Sequence, residues 1–178
     1  AEDTAQMTRD LNRVARDTNT LNGQVNTLLA ALIQQKLESV SDGNAANGGT
    51  GSNINAAATD AAMEALKAMQ KELDLMNTVV GSVLESTDDK AAENAKVNVN
   101  NAMNNLRSAI DSCETSVSNM QGIYKNNLVP QMQKVLTNMS DSLNQVTNLV
   151  NTLSNTVKNV GVVMEGVGDP VSGTSESL

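Results

Sequence analysis

Histidine, tryptophan and phenylalanine are absent from the 178 residues, and there is one tyrosine (Tyr124), one cysteine (Cys113) and two prolines. Each absence excludes something. Without histidine, the commonest general base and metal ligand is missing. Without bulky aromatics, a thick rounded core is hard to fill, whereas narrow seams between helices close with Leu, Val, Met and Ala alone. A lone cysteine cannot make an internal disulfide. No stretch approaches the ~18 consecutive apolar residues of a membrane-spanning helix. Positive charge is scarce too: 12 Lys and Arg stand against 20 Asp and Glu, a net charge of −8. The one local set, Arg9, Arg13 and Arg16, is interleaved with Asp10 and Asp17 and reads as a mixed solvated face. Nucleic acid, which needs clustered cations to displace counterions, is therefore not an expected partner.

What is present is rhythm. Met7, Leu11, Val14, Thr18, Leu21, Val25, Leu28 and Leu32 step by four and three, the heptad spacing of a coiled-coil seam, and predict a helix over 3–40. Residues 41–54 follow, rich in Gly and Asn, and read as a flexible loop at which the chain reverses. A phosphate-binding Gly-rich loop would need a preceding strand and a following Lys, and both are missing. A second helix is expected over 55–86, with Ala62, Leu66, Met69, Leu73, Met76, Val80 and Val83 on its seam. Ser86, Thr87, Asp88 and Asp89 then supply capping and dipole-favoured residues for a new helix start.

The third segment reads as one very long helix over 89–165, kinked near 130. Its seam runs through Val99, Met103, Leu106, Ile110, Cys113, Val117, Met120 and Tyr124, then Leu128, Met132, Val135 and Met139, then Leu143, Val146, Val150, Leu153, Val157, Val160 and Met164. Four-residue steps near Leu128 and Leu143 are stutters, which relax a supercoil without ending it. Pro130 removes a backbone donor at the first. The tail, 166–178, with Gly166, Gly168 and Pro170, is expected to leave the helix. The expected fold is thus all-α: an elongated antiparallel coiled coil, a helical hairpin with one very long third helix, in a single elongated segment over 1–178. On that topology the apolar stripe over 129–167 has no partner inside the chain, so self-association or a protein partner is expected to cover it.

No catalytic constellation is visible, and no enzyme, cofactor or metal is expected. Cys113 falls on the seam between Ile110 and Val117, where a thiol is structural rather than nucleophilic. The Asp88–Asp89 pair is explained by the helix start. Glu72 and Asp74 point to different helix faces. Asp42-Gly-Asn44 is a faint echo of a calcium loop without its terminal Glu. Met63, Met69 and Met76 read as seam filler rather than a promiscuous binding surface. Beyond residue 131 charges are sparse and Asn, Thr and Ser dominate, which suggests an extracellular bacterial rod over a cytosolic coiled coil rich in ion pairs.

The stretch Val135-Leu-Thr-Asn-Met-Ser-Asp-Ser-Leu-Asn-Gln-Val-Thr-Asn-Leu-Val-Asn-Thr-Leu-Ser-Asn-Thr-Val-Lys-Asn-Val160 resembles the extracellular region of the YhgE/Pip phage infection protein family, and the texture extends over about residues 60–175. EsaA/YueB-type Gram-positive surface proteins are similar. The resemblance lies in composition and rhythm, so no functional residue is carried over. It implies an extracellular, cell-surface location, with membrane-spanning helices outside this segment, no membrane insertion by the segment itself, and phage proteins among its partners. The expected function is a non-enzymatic structural or interaction stalk, serving phage adsorption or a surface export system. The alternatives are a helical ligand-sensing domain of a bacterial receptor and a filament or secretion-apparatus subunit.

Overall fold

The computed structural model describes the backbone of residues 2–41, 49–85, 90–126 and 128–177. These residues are almost wholly helical: α1 (Glu2–Ser41), α2 (Gly49–Glu85), α3 (Lys90–Asn126) and α4 (Met132–Ser177), with a 3-10 turn at Val129–Gln131 before α4. The chain is all-α, and no strand occurs among the described residues.

The boundaries differ from expectation in three places. Of the expected loop over 41–54, Ser41 still belongs to α1 and Gly49 to Ile54 already belong to α2. The remainder of that expected loop, 42–48, and the helix-start signal at 86–89 lie outside the described residues. The tail over 166–177, expected to fray, continues α4. Most consequentially, the single helix expected over 89–165 is two helices. The Leu128 amide donates back to the Ile123 carbonyl at 3.1 Å, the six-to-one bond that closes a helix C-terminus. The Gln131 amide then donates to Leu128 O at 3.0 Å, starting the 3-10 turn. Pro130 sits inside that turn, where its missing N–H costs nothing and its fixed φ suits a helix start. It marks a beginning where a kink in a continuing helix was expected.

The chain divides into two compact units, each drawing a segment from all four helices. Unit 1 comprises residues 1–19, 70–107 and 149–178, and unit 2 comprises 20–69 and 108–148. In unit 1, Asn19 Nδ2 donates to Ser154 Oγ at 2.7 Å, and the space at Gly161 is bounded by the Thr8 methyl 3.5 Å from an ideal Cβ position. These contacts join α1 to α4. Arg107 Nη1 donates to Gln70 Oε1 at 3.0 Å and Arg107 also pairs with Asp74, joining α3 to α2. Unit 2 repeats the order: Asn26 Nδ2 to Thr147 Oγ1 at 3.0 Å links α1 to α4, and Gln121 Nε2 to Asp60 Oδ1 at 2.7 Å links α3 to α2. In each unit these contacts make α1 a neighbour of α4 and α2 a neighbour of α3.

The seams follow the apolar rhythm with two shifts. On α2, Ala62, Leu66, Met69, Leu73, Met76 and Val80 are all buried, as expected. On α1 the buried line runs Leu11, Val14, Thr18, Asn22, Val25, Leu29, so Asn22 and Leu29 occupy the seam where Leu21 and Leu28 were expected. Near the break, Ile123 and Leu136 are buried, while Leu128 is exposed and Val135 half-buried. Met132, Met139, Leu143, Val146, Val150, Leu153, Val157 and Val160 are at most 4% exposed within this one chain. The break before α4 makes a fourth helix of what the one-helix reading kept continuous.

Candidate functional site

The residues weighed from sequence as chemical candidates are not brought together. Cys113 is fully buried on α3. Burial pushes its thiol pKa up, a hydrogen bond with Ser142 opposes this, and Glu114 adds to the rise, so the reactive thiolate is disfavoured. Glu72 and Asp74 diverge. Asp74 is exposed and pairs with Arg107 on α3. Glu72 is half-buried; its Oε2 has no hydrogen-bond partner. Desolvation raises its pKa, Asp17 on α1 raises it further, and Arg13 on α1 pulls it down. Met69 and Met76 are buried and Met63 is half-buried. In the Arg9–Arg16 stretch, Arg9 donates to Gln6 and Arg13 lies 3.8 Å from Asp10, interactions along one helix. Asp42, Asn44, Asp88, Asp89 and the Tyr124 side chain lie outside the described residues. Among the described residues no group of three or more His, Cys, Asp or Glu could hold a metal ion, and no helix is long and apolar enough to cross a membrane.

The buried polar groups are mostly quiet. Thr18 Oγ1 donates to Val14 O at 2.8 Å and Ser142 Oγ to Met139 O at 3.1 Å, each satisfied by its own helix. Asn22 is bonded across helices. Its Oδ1 accepts from Asn26 Nδ2 at 3.2 Å and from Thr147 Oγ1 at 3.5 Å, making a polar layer between α1 and α4 of unit 2. A buried amide in a helix–helix seam favours one register, because a slip leaves it unpaired.

The feature that sequence reading passed over is a groove between α3 and α4 in unit 1. Its volume is about 520 Å³, within the range typical of ligand sites, ~300–1,000 Å³. Ala95, Ala102 and Val160 are buried along it, because small side chains on α3 stop short of α4. Asn94, Asn98, Asn101 and Asn105 stand along one wall at spacings of four, three and four, one face of a helix. Thr152, Thr156 and Asn159 line the other side. No Asp, Glu, Lys or Arg is among the lining residues. The amide spacing is visible in the sequence; its pairing with the α4 threonines appears only in the structure, where both helices line one groove.

No protein-family model matches the chain, and no curated protein matches it.

Proposed function

We propose that this chain is a non-enzymatic structural and interaction module of a bacterial cell-surface protein, held to the membrane by segments outside it and built on antiparallel helical seams. The observation that carries this reading is in unit 1. Thr8 of α1 lies beside Gly161 of α4, while Asn19, later in α1, reaches Ser154, earlier in α4. The contacts run in opposite order along the two helices, which supports antiparallel packing. The first and last helices of this chain are thereby neighbours, which suits a domain inserted between two membrane anchors. The sparsely charged Asn, Ser and Thr surface of α4 agrees with an exterior setting, as does the textural resemblance to the YhgE/Pip and EsaA/YueB type of surface protein. In this reading partners, phage proteins among them, bind the outer faces of the helices, since the α4 stripe is already covered. The test is protease shaving of intact source cells with an antibody to this chain. Loss of the antigen before lysis is expected; protection until lysis refutes the surface assignment.

A second reading, a ligand-sensing domain, gains from the architecture. Helices of 40, 37, 37 and 46 residues resemble the near-equal four-helix plan such domains use. A ligand-dependent rise in melting temperature would favour it over a purely structural role.

A further inference from the structure

We infer that the asparagine-lined groove of unit 1 binds an uncharged, hydroxyl-rich chain, that is, a neutral oligosaccharide. Three observations converge. Asn94, Asn98, Asn101, Asn105 and Asn159 are exposed, and among the described residues their side-chain amides take no part in a hydrogen bond. The asparagines of α1 contrast with them: Asn12 donates to Thr8 O, Asn19 to Ser154 and Asn26 to Thr147. The groove amides therefore keep both donors and an acceptor to offer, and a sugar hydroxyl is likewise donor and acceptor at once. Second, the lining holds no ionisable side chain. A charged ligand would be desolvated there without a counter-charge, and the net charge of −8 disfavours an anion in particular. Third, the wall is long. Asn94 to Asn105 spans roughly 16 Å at the helical rise, so the site suits a chain of several units over a single small solute.

An extended peptide is the weaker fit. Peptide recognition draws on a free strand edge or on apolar pockets for alternate side chains. A helical wall offers no strand edge, and the groove floor is alanine and valine. The inference does not depend on the cellular location of the protein.

The experiment is an NMR titration of the 15N-labelled full chain with chitotetraose, maltotetraose and mannotetraose, reading the asparagine side-chain amides. At least one sugar is expected to give saturable shifts at Asn98 and Asn101. The double variant Asn98→Ala/Asn101→Ala removes exposed side chains, so its melting temperature should be unchanged. Its affinity for that sugar should fall about tenfold, since each neutral hydrogen bond contributes a factor of a few. The proposal is overturned if none of the three sugars shifts these amides by about 10 mM, a weak-binding limit. It is equally overturned if the shifts survive in the double variant, or if a neutral Gly-Ser peptide produces them where the sugars do not.

Discussion

Truncating Leu153 to Ala tests whether the α4 stripe is covered by its own chain. Leu153 is 1% exposed, within the stripe of unit 1. The truncation removes the equivalent of three carbons, about 2.4 kcal/mol of transfer free energy at ~0.8 per methylene. The cavity left behind raises the loss to about 3 kcal/mol, inside the ~2–5 kcal/mol span of such changes. An unfolding entropy of about 2.1 cal/mol/K per residue gives roughly 0.4 kcal/mol/K for 178 residues, so the midpoint should fall by roughly 8 °C. Val162→Ala, at a site 67% exposed on the same helix, should change stability by less than ~0.5 kcal/mol. Thermal melts by circular dichroism at two concentrations about a hundredfold apart complete the test, because folding linked to association shifts with concentration. Single-chain burial requires midpoints independent of concentration for wild type and both variants. A midpoint that climbs with concentration, or a Leu153→Ala variant as stable as Val162→Ala, would show that the stripe is covered some other way.

Three further outcomes are expected. Glu72 has its folded pKa raised, so the folded state holds a proton that the unfolded state releases. Its contribution is most favourable below the ordinary carboxyl value of 4.5 and is lost as pH rises through the raised value. Glu72→Gln should therefore stabilise the protein at pH 7 by about 0.5–1 kcal/mol, modest for a half-exposed group, and leave it unchanged at pH 4; urea titrations at the two pH values decide, and equal effects at both would refute the electrostatic cause. Gly23→Ala should stabilise by about 0.5–1 kcal/mol through helix propensity, because nothing lies within 4 Å of the added methyl; a lowered urea midpoint would mean that α1 needs glycine there. Cys113 should resist a thiol reagent such as Ellman's reagent in native buffer and react fully in denaturant, and rapid native labelling would contradict its burial.

Much of this architecture is legible residue by residue, because seam spacing is a local property. The α2 line from Ala62 to Val80 is buried as its spacing demands. What is not legible depends on competition between near-equal local choices. On α1, Leu21 fits the heptad better by polarity than Asn22, and Leu28 and Leu29 are equal in polarity, yet Asn22 is the residue with partners, in Asn26 and Thr147. Asn26 is one turn along α1, but Thr147 lies on α4, whose position no local pattern reveals. The end of α3 is hidden for a similar reason: no glycine announces it, and Pro130 is compatible with both a kink and a fresh start. The groove shares that fate. A row of asparagines on one helix reads as a wet surface until a second helix supplies the opposite wall.

Filling the interior without aromatic side chains has a chemical consequence. Met69, Met76, Met120 and Met139 are 0% exposed, and Met103 and Met132 nearly so. A thioether turned to sulfoxide becomes polar and would no longer fit between aliphatic neighbours. While the helices stay closed an oxidant cannot reach these sulfurs, so damage must wait for thermal opening, and each lesion would make the next opening easier. Peroxide sensitivity in this protein should therefore track how often its helices part.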